Sequence, residues 1–135
     1  MTIRDATTND FPLLEQWAKV HGRAAFDPRT MPPTAFMVED EKGPLVFCSL
    51  YLSLGVGVAF IESLFSRPWE TAQVVVAGVA FLVEGVKKIA KAHDYGVIIC
   101  HTFPAIARKA EGLGFVRTNH GLVQMMTSTE EVENG

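Results

Sequence analysis

The spacing of apolar and polar positions changes most sharply between residues 59 and 91. Ala59-Phe60-Ile61-Glu62-Ser63-Leu64-Phe65 is mostly β-branched, aromatic or aliphatic, the composition of a largely buried strand. Ser66-Arg67-Pro68 stops it, because proline has no N–H to give to a strand ladder. From Glu70 onward the period is helical. Val75, Val79, Leu82, Val86, Ile89 and His93 recur at steps of four and three on one face, and Glu84, Lys87, Lys88 and Lys91 fall largely off it. Gly78 and Gly85 flank this stripe and let the helix backbone lie close to a sheet. A strand, a tight loop and a helix start in succession form a place where unpaired backbone N–H groups can hold an anion.

Residues 2–6 read as a short strand, with Ile3 apolar between polar neighbours. Thr8-Asn9-Asp10 offers helix caps ahead of Phe11 and Pro12. Leu13, Leu14, Trp17, Ala18 and His21 then form a helical stripe that Gly22 ends. Residues 24–33 hold three prolines and no period, and read as a loop or a fragment of helix. Residues 34–39 and 44–53 are strands joined by Asp40-Glu41-Lys42-Gly43, and Leu54-Gly55-Val56-Gly57 turns the chain into the central strand. The long helix closes at Asp94-Tyr95-Gly96, and residues 97–101 are a short buried strand. Pro104 starts a helix with residues 105–111 as its body, and residues 115–118 and 122–127 make a strand pair around Asn119-His120-Gly121. The order βαβββαβαββ predicts one α+β domain over residues 1–127, with a mixed, mostly antiparallel sheet flanked by helices. Residues 128–135 are an acidic tail expected to fray.

Composition makes this an ordinary globular chain: of 135 residues, 48% are apolar and 20% charged, enough to bury a core. With a formal net charge of −3 and scattered basic residues, no nucleic-acid partner is expected. The N-terminus lacks a signal-peptide core, and Glu84 and Lys87-Lys88 cut the greasiest run short of a membrane span, so a cytoplasmic location is expected and no membrane partner. Cys48 and Cys100 each sit in an apolar run and read as buried thiols of a reducing compartment. His21, His93, His101 and His120 have no metal-ligand spacing, so no metal is expected. His101 ends a strand, where it can serve as acid or base or simply as a strand-end residue. Phe11, Trp17 and Phe26 read as core, and Trp69 stands in the loop before the long helix.

This order and two local patterns resemble the GNAT superfamily of acetyl-CoA-dependent N-acetyltransferases. Leu64-Phe65-Ser66-Arg67-Pro68 is similar to the end of the family's fourth strand, an apolar pair with proline shortly after. Ala105-Ile106-Ala107-Arg108-Lys109-Ala110-Glu111-Gly112-Leu113-Gly114-Phe115 is similar to its late helix running into a Leu-Gly-Phe ending. With the Ile3-Arg4 opening strand, the likeness covers nearly the whole chain.

The resemblance implies a GNAT-like fold in which the fourth strand splays from the fifth. Its backbone at Leu64, Phe65 and Ser66 would then bond the pantetheine arm of acetyl-CoA. It also implies a pyrophosphate loop over residues 69–76, with Thr71, Ala72, Gln73 and Val74 as cofactor-binding positions. The family carries glycines two apart in this loop, and here Val74 and Val76 stand in their place, with Glu70 adding negative charge. A Cβ at such positions obstructs close approach to a phosphate. The family's late-helix tyrosine, which reprotonates the leaving thiolate, corresponds to Ala110, and Thr102 and Phe103 stand near the place of its asparagine. Glu62 takes the position of a general base in some relatives, and reads equally as a solvent-facing strand carboxylate.

Two functions are expected of this layout. One is an N-acyltransferase that moves acetyl from acetyl-CoA to an amine acceptor, with Glu62 or His101 taking the proton and backbone N–H groups around Phe65 holding the oxyanion. The other keeps the fold without the chemistry, as a catalytically inactive binding or assembly protein. Small GNAT-like proteins with altered loops resemble some phage-encoded proteins, including virion-associated ones. An exposed edge at residues 34–39 or at the C-terminal strand would allow a homodimer.

Overall fold

The structure, a computed structural model, describes residues 1–24, 26–102, 104–123, 125 and 127. Contacts divide it into two units, Met1–Thr102 and Phe103–Gly135.

In the first unit the strands are β1 (Thr2–Asp5), β2 (Ala35–Asp40), β3 (Gly43–Leu52), β4 (Val58–Ser66) and β5 (Val97–Cys100). The helices are α1 (Phe11–Val20) and α2 (Ala72–Ala92). The strands form one sheet in the order β1-β2-β3-β4-β5, antiparallel throughout except for the parallel β4–β5 pair. This is the α+β class that the apolar pattern predicts. The β2–β3 hairpin turns at Glu41-Lys42, where Gly43 takes a left-handed φ of 104° and Asp40 Oδ1 accepts from Lys42 N at 2.9 Å.

Strand alternation sorts the core into two layers. Ala35, Met37, Phe47 and Phe65 pack with Leu14, Trp17 and Ala18 of α1 and with Phe26. Phe26 meets Phe47 edge-on at 5.9 Å between ring centroids and Phe65 at 6.4 Å, so these aromatics are core, as their spacing predicts. The other face of the sheet takes α2, which buries Gly78, Leu82, Val83, Val86 and Ala90. The helix begins at Ala72, two residues later than its pattern suggests, because Thr71 caps it with its side chain. Its buried stripe is also turned toward Gly78 and Ala90, and His93 at its end is exposed. Glycine explains the turn. A Cβ on Gly78 would stand 2.8 Å from Leu45 Cδ2 and 2.9 Å from Val46 Cγ2, so the helix backbone rests directly on β3.

The second unit carries α3 (Pro104–Glu111). It ends as expected at Leu113-Gly114-Phe115, where Gly114 has φ 93° and Phe115 N donates to Ala110 O. The strand pair expected over residues 115–118 and 122–127 is not found: residues 115–123, 125 and 127 carry no strand. Val116, Leu122, Val123 and Met125 are all exposed, and a two-stranded ribbon is marginal in water unless one face is buried. Phe103, Gln124, Met126 and the acidic tail at 128–135 lie outside the described residues.

Candidate functional site

The site grows from an interruption in β4. Phe47 pairs with Phe65 and Ser49 with Glu62, so Cys48 faces both Ser63 and Leu64, a bulge that bends the strand. Ser63 holds a left-handed φ of 53°, a conformation that costs a non-glycine residue energy. Beyond the bulge β4 has no strand partner on its outer side among the described residues, because the register with β5 stops at Ile61 and Cys100. Arg67 N donates to Leu45 O, so by alternation Phe65 and Arg67 turn their backbone groups to β3, and Leu64 and Ser66 turn theirs into the opening. Phe65 therefore supplies a buried ring to the core, while the outward backbone belongs to Leu64 and Ser66.

At the point where the strands part, His101 Nδ1 lies 3.2 Å from Glu62 Oε1. The two residues singled out in the sequence as acid–base candidates are thus in contact. Both side chains are partly open to solvent, at 54% for His101 and 35% for Glu62. A carboxylate oxygen accepts in such a contact, which leaves Nε2 as the ring nitrogen outside it. Ser49, opposite Glu62 in the ladder, is buried, and its Oγ has no hydrogen-bond partner among the described residues.

The loop before α2 is built differently. Trp69 adopts φ 66° and is 93% exposed. Arg67, the loop's cation, turns back into the protein: Nη2 lies 2.8 Å from Asp40 Oδ2 and 2.9 Å from Glu70 Oε1, and Nη1 donates to Asp40 Oδ1 at 3.0 Å and to Pro44 O at 3.1 Å. The Arg67 guanidinium holds the Asp40 carboxyl down to about 2, against the opposing effect of burial. Thr71 Oγ1 accepts from Val74 N at 3.3 Å, so one N–H of the helix start is already satisfied. Ala72 and Gln73 are exposed, and Val74 is half-buried. The outward backbone of β4 fits an amide-bearing arm, whereas this loop offers a phosphate no free cation from Arg67.

Two side chains that the sequence did not assign to a site, Arg23 and His21, lie against the outward carbonyls of β4. Arg23 Nη1 donates to Leu64 O and its guanidinium lies 4.5 Å above the Phe65 ring, while His21 Nε2 sits 2.8 Å from Ser66 O. The sequence clue was Gly22, which marks where the chain turns back after α1. Both thiols are shifted away from the thiolate form. Burial pushes Cys48 up to about 12, and burial followed by the charge of Glu62 raises Cys100. Among the described residues, no group of three or more His, Cys, Asp and Glu could hold a metal ion, and no helix is long and apolar enough to cross a membrane.

No family model matches the chain, and no curated protein matches it. Solved structures do. The ribosomal-protein-S18-alanine N-acetyltransferase from Escherichia coli shares 17% identity at a TM-score of 0.68, covering 87% of this chain and 79% of that one. Rv2747 from Mycobacterium tuberculosis, solved in complex with CoA, shares 16% at a TM-score of 0.67, covering 92% and 76%. TTHA1254 from Thermus thermophilus shares 19% at 0.69, covering 95% and 99%. The chain has the GNAT fold. In that GNAT frame, the β4–β5 opening and the start of α2 are the places that the sequence resemblance assigns to acetyl-CoA. Ala110, in α3, is the residue it assigns to the missing tyrosine.

Proposed function

We propose that the chain is a GNAT-type N-acyltransferase that moves an acetyl group from acetyl-CoA to an amine. The observation that carries this reading is the Glu62–His101 contact at the point where β4 leaves β5. The thioester carbonyl lies in the opening, with its oxygen toward the outward N–H groups of β4. The amine nitrogen attacks the carbonyl carbon, the C–N bond forms and the C–S bond breaks. The proton lost by the amine passes to His101 Nε2, and CoA leaves as a thiolate that takes a proton back from the imidazolium. Glu62 holds Nδ1–H and stabilises that imidazolium. The CoA bound to Rv2747 supports acyl-CoA as the donor class, and the name of the Escherichia coli neighbour supports an amine acceptor. The test is mass-spectrometric detection of acetylated product from acetyl-CoA with spermidine, lysine and an alanine-starting peptide. His101→Ala is expected to lower turnover by about 10²–10⁴-fold and Glu62→Gln by less. Equal turnover in all three proteins, or no product with any amine, overturns the reading.

Specific observations favour a second reading, a GNAT-shaped binding or assembly protein without catalysis. Arg67 is spent on Asp40 and Glu70, Val74 N–H on Thr71, and the outward carbonyls of β4 on Arg23 and His21. Under that reading a protein partner, of a virion for example, protects the chain in cross-linking and acetyl-CoA does not.

A further inference from the structure

We propose that His21, Gly22 and Arg23 form a strap that occupies the outward carbonyls of β4. An extended amide chain adding to that edge must displace it. The inference rests on reading this edge as the acyl-CoA site.

The strap is built by the end of α1. Gly22 takes φ 64°, Gly22 N donates to Lys19 O at 3.1 Å, and Arg23 N donates to Ala18 O at 2.9 Å. This pair of bonds is the Schellman motif, which reverses the chain and fixes where the next side chains emerge. His21 and Arg23 are two residues apart, and so are the carbonyls they reach, Ser66 O and Leu64 O. An unpaired strand edge alternates its outward groups with that same period, so the two donors match two successive acceptors. Arg23 adds a flat contact on Phe65, 4.5 Å from the ring centroid.

A pantetheine-like chain pairs with a strand edge through its own amide groups, as an added strand does. At Leu64 and Ser66 it meets carbonyls that are already bonded and a guanidinium lying across the approach. His21 and Arg23 are both exposed, so water can replace their bonds when they swing away. That makes the strap displaceable. It also gives Arg23 an unusual signature: removing a ligand-binding arginine weakens binding, whereas removing a competing one strengthens it.

The probes are acetyl-CoA and pantetheine, titrated calorimetrically into wild type, Arg23→Ala and His21→Ala. Arg23→Ala is expected to bind both ligands about tenfold more tightly, the loss of one charged hydrogen bond and one cation–π contact, while melting at a lower temperature when ligand-free. His21→Ala is expected to move in the same direction by less. Where wild type binds a probe measurably, unchanged or weaker binding by Arg23→Ala overturns the strap. A ligand-free NMR measurement separates this inference from the acyl-CoA reading. The Arg23 δ-methylene protons should be shifted upfield by the Phe65 ring, and unshifted resonances overturn the strap. An upfield shift supports it, and if no variant binds either probe, it is the acyl-CoA reading alone that fails.

Discussion

Ser49 holds a buried hydroxyl without a hydrogen-bond partner among the described residues, opposite Glu62 in the ladder. A buried unpaired polar group costs about 1–3 kcal/mol, so Ser49→Ala is expected to leave stability unchanged or raise it. A urea-unfolding loss above about 1 kcal/mol would show that the hydroxyl is satisfied in solution. Asp40 behaves oppositely, because its charge is used. Its pKa is held down to about 2 by Arg67, below the ordinary value of about 4, so the native state favours the ionised form. That contribution is fully present above about pH 4 and fades as pH falls toward 2. Asp40→Asn lacks it at every pH, so the gap between wild type and variant in urea midpoint should close between about pH 4 and 2. A gap that persists at the acid end contradicts this. Glu62 and His101 were singled out in the sequence by their chemistry and position. Their contact was not, since it joins residues 39 apart across a parallel pair whose register depends on the fold. Arg67 stood in the sequence only as part of the run that ends β4, and its pairing with Asp40 depends on the β2-β3-β4 order that brings residues 27 apart together.

Among the elements, α2 shows how close approach is built. A Cβ at Gly78 would strike both Leu45 and Val46, which are buried in the sheet, whereas at Gly85 it would meet chiefly the Ile3 tip at 2.9 Å on the edge strand. Gly78→Ala is therefore expected to destabilise by about 1–3 kcal/mol through overpacking. Gly85→Ala should be neutral or gain up to about 1 kcal/mol of helix propensity. Equal thermal shifts for the two variants would contradict the seating of the helix on β3. The elements of the first unit were legible because each carries a clear period bounded by proline, glycine or a cap. The strand pair after α3 misled for a physical reason: its alternation is real, but alternation makes a strand only when a layer covers the apolar side, and Val116 and Val123 remain exposed.

For the whole molecule, the GNAT layout was legible from the order of elements, while the state of its ligand site was not. Strand order follows from short connections and two covered faces, which the apolar pattern encodes. Whether the opening accepts acyl-CoA turns on the bulge at Ser63, the strap from α1 and the capture of Arg67, each a long-range or backbone feature. On the proposed function, the β4–β5 opening is an acyl-CoA site despite the altered loop. Calorimetric titration of the wild-type protein with acetyl-CoA tests it most directly. One site per chain is expected, with a Kd of about 10–100 μM, weaker than a glycine-built loop would give because Arg67 and Val74 N–H are already bonded. No heat of binding at millimolar acetyl-CoA would contradict it and leave a GNAT-shaped scaffold.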